Sequence, residues 1–323
     1  MKSKVLNLLR QSTASLSGEA LSESLGVTRA AIWKAVQALR QDGYGIEAVP
    51  NRGYRLISVP DALYEDEILD GLQTQTLGRK VYHYKETGST NAQAKVEAER
   101  GAPDGSVFLA ECQTAGRGRL GRCWASPAGE GIWMSLLLRP DAAPQAILPI
   151  TLVTGLAVAN ALRQEGVDAL IKWPNDIVAH GKKLCGILTE MSAEAEGIRH
   201  VVVGIGINVN TPQFPEELRG TATSLRLQSG REHSRKALVQ RILMECETAF
   251  YTLLGQGFEP MREEYRALSA TLGHQVQAIN RTGIVVGLAR DVTDSGDLII
   301  ETPDGLVTVT SGEVSVRGIY GYT

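Results

Sequence analysis

Cysteine is scarce in this chain, and its spacing carries no structural signature. The four cysteines, Cys112, Cys123, Cys185 and Cys246, form no C-x-x-C and have no histidine pair nearby. That excludes a structural zinc site and a disulfide framework, and no resident metal site is expected. The P-loop pattern G-x-x-x-x-G-K-[ST] is absent, which removes the commonest phosphate cradle. The start, "MKSKVLNLLRQ", is basic but lacks a long apolar run, so it does not read as a signal peptide. The most apolar stretch, Ile147–Leu162, falls short of a membrane span and carries Thr and Asn. It reads as a buried helix. Neither an internal repeat nor a low-complexity tract is present. These absences leave a soluble cytoplasmic protein with no membrane partner as the expectation.

A global basic field is also missing, since the net charge is −3. The 323 residues, 43% of them hydrophobic, suit two or three globular domains. Charge is nevertheless uneven. Residues 1–57 set eight Lys and Arg against four Asp and Glu, a local +4 that leaves −7 on the remainder. This segment reads as a winged helix-turn-helix. "KVLNLLRQS" forms a first helix with Val5, Leu8 and Leu9 on one face. "SGEALSESLG" forms a second, capped by Ser17 and ended at Gly26. In "VTRAAIWKAVQALRQDG", Thr28 caps a third helix with Ile32, Ala35, Val36 and Leu39 inward. Its outward positions Arg29, Lys34, Gln37 and Arg40 suit phosphates and base edges, which makes them, with Thr28, candidate DNA contacts. Trp33 stands at an outward position too, either exposed or half-buried. "IEAVPNRGYRLI" supplies two strands around a turn, the wing.

Pro60 and an acidic helix in "SVPDALYEDEILDGLQ" mark a boundary, giving domains at 1–62, 63–270 and 271–323. The middle segment mixes strands and helices, predicting a mixed or antiparallel sheet with helices on one side. "QAILPITLVTGLAVANALRQEG" is predicted as one long helix ending at Gly166. From Thr271, short strands split by Gly and Asp turns predict a small SH3-like β-barrel. The fold class is therefore α+β.

One loop stands out chemically. "AGRGRLGR" (Ala115–Arg122) places three glycines and three arginines together. Glycine lets backbone approach a ligand closely, and arginine's fork suits carboxylate and phosphate oxygens. Gly116, Gly118 and Gly121 satisfy G-x-G-x-x-G, but Pro127, Gly129 and Gly131 forbid the helix that a dinucleotide site needs. The loop is anion-binding without belonging to either common nucleotide motif. Further stretches accompany it. "GSTN" (Gly88–Asn91) opens a helix, with Ser89 as its ordinary cap. "KWPND" (Lys172–Asp176) ends a strand in good turn chemistry. "GKKLCGIL" carries Lys183 into a strand, and "GINVN" puts Asn208 at a strand tip.

In order, "STN", "GRGRLGR", "KWPND", "KLCGIL" and "GIGINVN" resemble the bifunctional biotin–protein ligase and biotin operon repressor family, and the resemblance covers essentially the whole chain. It implies that biotin, the substrate, is activated by ATP with Mg²⁺ to biotinyl-5′-AMP. The biotinyl group is then transferred to a lysine of the biotin carboxyl carrier protein of acetyl-CoA carboxylase. It implies biotin contacts at Ser89, Thr90, Asn91, Gln113, Gly116, Arg117, Gly118, Arg119 and Lys183, with Lys183 and Arg119 catalytic. Nucleotide contacts are implied at Arg117, Arg119, Arg122, Lys172, Asn175, Asp176 and Asn208, the division among the last four being open. Glu313 and Arg317 match the family's C-terminal region without an assigned role. The resemblance further implies a homodimer when adenylate-bound, which binds operator DNA before biotin synthesis genes. Lipoate–protein ligase, and a ligand-sensing repressor without ligase activity, are the alternatives. A ligase that no longer represses also stays open.

Overall fold

Short helix-forming segments, the second and third opened by a capping side chain, build the N-terminal unit. The computed structural model describes residues 1–194, 197–280, 283–311 and 315–318, and the chain divides into two units, 1–62 and 63–323. Glu313 lies outside the described residues. In the first unit, α1 (Lys2–Gln11), α2 (Gly18–Leu25) and α3 (Arg29–Gln41) precede a hairpin of β1 (Gly45–Val49) and β2 (Gly53–Ser58). The Ser17 hydroxyl accepts from Ala20 N–H at 3.0 Å, and Thr28 accepts from Ala31 N–H at 3.2 Å. Gly26 closes α2 in the left-handed region, φ 62°. Ile32, Ala35, Val36 and Leu39 are buried against Val5, Leu6 and Leu9. Leu6, rather than the expected Leu8, faces inward. On α1, Leu9 and Val5 are four apart and Leu6 lies between them on the same face. Gly53 (φ 103°) is required where it stands, because a Cβ there would lie 2.0 Å from the Leu16 carbonyl oxygen.

The second unit is built on a seven-stranded sheet in the order β3-β4-β5-β9-β8-β7-β6. Its strands are β3 (Val81–Tyr84), β4 (Ser106–Ala110), β5 (Gly131–Leu138), β6 (Leu170–Lys172), β7 (Asp176–Ala179), β8 (Lys182–Glu194) and β9 (Gly197–Asn208). Only β3 and β4 run parallel; the other neighbours are antiparallel. The helices are α4 (Glu65–Leu69), α5 (Thr90–Glu99), α6 (Pro144–Ile147), α7 (Ile150–Arg163), α8 (Leu225–Ser229), α9 (Arg235–Gln256) and α10 (Arg262–Ala267). The expected long helix is in fact α6 and α7, broken at Leu148–Pro149, since proline lacks the N–H that a continuous helix would need. Together they are apolar and long enough to cross a membrane on composition alone, yet most of that surface is buried in the core.

Strand alternation decides the layering. Leu109, Leu136, Val203 and Ile205 point to the face covered by α7 and α9. Phe108, Leu137 and Val202 point the other way, onto Ala94 and Ala98 of α5. Helices therefore lie on both faces. The expectation of one covered side fails because the central strands are apolar on both faces, and each must be kept from water. The second face is covered by α5 over only part of its breadth, and the remainder is the floor of a cavity.

The C-terminal strands β10 (Gln275–Asn280), β11 (Gly283–Val292), β12 (Leu298–Thr302), β13 (Gly305–Val309) and β14 (Ser315–Gly318) form one antiparallel sheet, ordered β13-β12-β11-β10-β14. Among the described residues no ladder joins β13 to β14, so the expected barrel closure is not seen. This sheet is fastened to the seven-stranded sheet by Trp173, whose indole N–H donates to the Gly296 carbonyl at 2.9 Å.

Glu247 of α9 closes the far edge of the unit. Its carboxylate accepts from the backbone N–H groups of Gln75, Thr76 and Leu77 at 2.7, 2.7 and 2.9 Å. Hydrogen bonds to a charged acceptor are strong, and their loss strands the donors. Glu247→Ala is expected to lower unfolding free energy by about 2–3 kcal/mol in urea titrations.

Candidate active site

The cavity has a volume of about 910 Å³ and opens over the half-covered face of the sheet. Its floor is made of missing side chains. A Cβ at Gly204 would stand 2.2 Å from Asn91 Oδ1, one at Gly206 2.6 Å from Trp124 Nε1, and one at Gly186 3.1 Å from the Trp124 ring. Glycine at these strand positions lets the Trp124 indole and the start of α5 lie directly on the backbone. Trp124 Nε1 is buried and has no hydrogen-bond partner among the described residues.

A chain of polar groups fixes the α5 end. Ser89 occupies the cap position, but its side chain makes no capping hydrogen bond. Gln113 takes that duty, its Oε1 accepting from Thr90 N–H at 2.8 Å and its Nε2 donating to Ser126 Oγ at 2.9 Å. Ser135 of β5 lies 2.8 Å from Thr90 Oγ1 and donates to Asn91 Oδ1 at 2.6 Å. Asn91 Nδ2 in turn donates to Glu190 at 2.9 Å, and Lys95 pairs with that carboxylate at 2.7 Å. Asn91 and Gln113 are thus held by protein partners, while the Ser89 hydroxyl at the cavity wall is not used as a cap.

The Arg/Gly segment is a tight hairpin rather than an open loop. Gly118 N–H donates to the Arg122 carbonyl at 2.8 Å and Trp124 N–H to the Gly116 carbonyl at 2.9 Å. Leu120 at the tip has φ 56°, a left-handed conformation costing a branched residue about 1 kcal/mol. Gly116 is buried behind the cavity, packed against Trp124, Ser126 and Gln113. Arg117, Gly118, Arg119 and Arg122 line the cavity. The Arg119 guanidinium donates to Asn175 Oδ1 at 2.8 Å and to the Ser311 carbonyl. It is thereby strung between the β6–β7 turn and the C-terminal sheet. Asn175 also donates to the Ile187 carbonyl at 3.0 Å, so its amide positions Arg119.

Among the described residues six cations line this cavity, Arg117, Arg119, Arg122, Lys172, Lys183 and Arg317, against two carboxylates, Glu130 and Asp176. Lys183 Nζ pairs with Asp176 at 2.7 Å and stands 5.2 Å from the centre of the Trp124 ring, joining the cationic end to the indole end. Burial pushes the Lys172 ammonium down, Asp176 opposes that, and Lys183, Arg317 and Arg122 add to it. Burial likewise lowers Arg119, against Asp176. Cations destabilised by burial and by one another favour an anion in their midst. Asn208 donates to the Thr223 carbonyl at 3.1 Å, pinning the return of the segment 211–222. That segment contributes Gln213, Phe214, Leu218 and Ala222 to the wall.

Every residue expected at this site except Gly116 lines the cavity, and Gly116 packs behind it. Sequence reasoning missed Trp124, Ser126, Ser135, Glu190 and the apolar wall from 211–222. The glycines at alternate positions of β9 were the available signal. On α3 of the other unit, Thr28, Arg29, Trp33 and Lys34 are exposed and Gln37 is half-exposed. Arg40 donates twice to the Ile46 carbonyl, at 3.0 and 2.7 Å, and ties α3 to β1.

Glu111, two residues before Gln113, anchors the wall. Oε1 accepts from Leu63 N–H at 2.8 Å and Oε2 from Arg235 at 2.8 Å, with His83 at 3.5 Å. Burial alone would raise this carboxyl. The His83 and Leu63 contacts and the Arg235 charge outweigh it and hold the group at about 2. A depressed carboxyl stabilises the fold fully above its unfolded value, near 4.5, and the gain fades as pH falls towards 2. Glu111→Gln is therefore expected to cost roughly 2–3 kcal/mol at pH 7. In melting curves its deficit relative to the parent should shrink between pH 4.5 and 2.

Comparison with known proteins places this geometry in a family. Residues 64–208 match the biotin/lipoate A/B protein ligase family, residues 2–55 an HTH domain, and residues 271–317 the biotin protein ligase C-terminal domain. The bifunctional ligase/repressor BirA of Bacillus subtilis (strain 168) is 40% identical over 304 residues, covering 93% of this chain and 94% of that protein. The Escherichia coli (strain K12) protein of the same name is 32% identical, over 93% of this chain and 92% of its own. Among solved structures, biotin protein ligase from Aquifex aeolicus in complex with biotin and ATP superposes with a TM-score of 0.66. Its identity is 31%, and it covers 74% of this chain and 99% of the Aquifex chain. With the three family matches in succession along one chain, and with relatives at 40% and 32% identity covered almost from end to end, the chain belongs to the family of bifunctional biotin–protein ligases and repressors.

Proposed function

We propose that this chain is a biotin–protein ligase that also represses transcription, acting in the cytoplasm. The observation that carries the ligase reading is the cavity with a neutral, glycine-floored end and a six-cation end, joined by Lys183. Biotin offers an uncharged ring system and a carboxylate, and ATP offers phosphates. Bringing two anions together needs fixed positive charge.

In the first step a biotin carboxylate oxygen attacks the α-phosphorus of ATP. The bond to the β-phosphate bridging oxygen breaks, and pyrophosphate leaves with that electron pair. Lys183 holds the carboxylate and then the bridging oxygen of the adenylate. Arg119, steadied by Asn175 and the Ser311 carbonyl, faces the phosphates with Arg117 and Arg122. Ser89, Thr90 and Gln113 hold the ureido ring at the α5 end, with Asn91 supporting them from behind. Lys172, Asp176 and Asn208 face the nucleotide.

Among the described residues no three His, Cys, Asp or Glu side chains gather as a metal cage. Mg²⁺ commonly binds through one or two carboxylates and substrate phosphates, and Asp176 at the cavity wall fits that use. Bound there, the ion would offset phosphate charge. In the second step a lysine amine of the biotin carboxyl carrier protein attacks the acyl carbon, AMP leaves, and the amine loses a proton. The Arg/Gly hairpin and the 211–222 segment wall the cavity and shield the mixed anhydride from water.

Lys183→Ala is expected to lower biotin-dependent exchange of labelled pyrophosphate into ATP by on the order of 10²–10³-fold or more, with folding intact. Normal exchange in that variant would remove Lys183 from the mechanism. Exchange by the parent with lipoate in place of biotin would move the chain to the neighbouring specificity. For repression, the adenylate-bound chain dimerises and places one winged unit on each half of a two-fold operator. Operator affinity in gel-shift titrations should rise with biotinyl-adenylate. Equal affinity with and without it would exclude a co-repressor role.

A further inference from the structure

Trp33 is 54% exposed in the middle of the outer face of α3. Burying it by rotating the helix is not available, because Ile32, Val36 and Leu39 on the opposite face are fully enclosed. The N-terminus is fixed as well, by the Thr28 cap. Trp33 lies one turn after Arg29 and one turn before Gln37, so the three form a row along the helix. Ala30 and Lys34 flank that row, and the small alanine lets a partner come close. Scattered apolar residues on a surface are ordinary. An indole set between a guanidinium and an amide, on the helix of a basic unit, is placed where a duplex would meet it.

The chemistry of the side chain narrows what it can read. An indole has one donor and no acceptor, so it cannot make the paired hydrogen bonds by which Arg or Gln identify a base. Its contribution is an apolar plane. In the major groove the apolar feature on offer is the C5 methyl of thymine. We propose that Trp33 is a specificity-determining residue that packs on a thymine methyl in each half-site. The proposal rests on the reading of this unit as that of a repressor. Residues four apart on α3 are about 6 Å apart along its axis. At about 3.4 Å per base step, the thymine lies within roughly two base pairs of the positions met by Arg29 and Gln37.

The test uses the full chain with biotin and MgATP. Duplexes are first selected from a random library by the parent. Each thymine of the selected half-site is then replaced singly by deoxyuridine, which removes only the methyl group. One replacement is expected to weaken the parent about three- to tenfold, the worth of one buried methyl in apolar contact. Trp33→Ala is expected to bind the selected duplex about tenfold or more weakly and to be indifferent to that same replacement. Trp33→Phe should retain part of the methyl sensitivity. The melting temperature of each variant is compared with the parent, and if Trp33→Ala does not fold, the Trp33→Phe series decides. Equal methyl sensitivity in parent and variants, or no sensitive thymine at all, overturns the proposal while leaving the repressor reading in place. Failure of the parent to enrich any duplex overturns the repressor reading itself, before any substitution is made.

Discussion

Mutual repulsion among cations is the constraint around which the catalytic unit is organised. Among the described residues, six Lys and Arg side chains share one cavity with two carboxylates. At an effective dielectric constant near 20, two like charges 4 Å apart repel by about 4 kcal/mol. Such an arrangement persists only if each cation is held by something else. Arg119 is held by an amide oxygen from the β6–β7 turn and by a carbonyl from the C-terminal sheet. Lys183 is held by Asp176 and rests near an indole. The fold therefore supplies, from sequence-distant elements, the neutral and anionic partners that let the cations stay together without a ligand.

The apolar half of the cavity answers a different problem. A sheet whose central strands are apolar on both faces must cover both, yet a binding site needs one of them partly open. Gly186, Gly204 and Gly206 resolve the conflict by removing side chains where α5 begins, so that Trp124 and Asn91 lie directly on the backbone. Any Cβ at Gly204 or Gly206 meets another group well inside van der Waals contact. The polar network running from Gln113 through Thr90 and Ser135 to Asn91 and Glu190, whose charge Lys95 balances, then fixes the wall. Its polar groups satisfy one another, which keeps the wall rigid in a region of low dielectric.

Much of this was legible in the residues, because the informative stretches are governed by short-range rules. Ser17, Gly26 and Thr28 act as the caps that their positions predict. The Arg/Gly segment reads as an anion-binding loop from its residue types alone, and Arg117, Gly118, Arg119 and Arg122 do line the cavity. What could not be read depends on long-range pairing. Gln113 replaces Ser89 as the α5 cap from 23 residues away. Ser311, whose carbonyl holds Arg119, lies 192 residues along the chain. The two-sided covering of the sheet was missed for a local reason. "SVFLA" is buried at every position, and a continuous apolar run does not say which helix will lie on which face. The break at Leu148–Pro149 was misjudged because the apolar pattern continues across it.

The same charge arrangement explains how a ligase site serves as a sensor in the proposed cycle. A ligand shifts a conformational equilibrium only through its differential affinity for the states concerned. Here the elements that hold the cations are the hairpin 116–124, the β6–β7 turn, the segment 211–222 and the C-terminal sheet. Each bears part of the repulsion among the cations, and in the proposed cycle an anionic ligand bound among them would relieve it in all of them at once. The stabilisation is shared among elements that differ in sequence position but meet at one cavity. On the proposed reading, biotin occupies the neutral end and the phosphates of ATP the cationic end, whereas the adenylate joins both in one ligand. Its single phosphate charge adds nothing to what the substrates bring, so its leverage over these elements would come from holding both ends of the cavity at once.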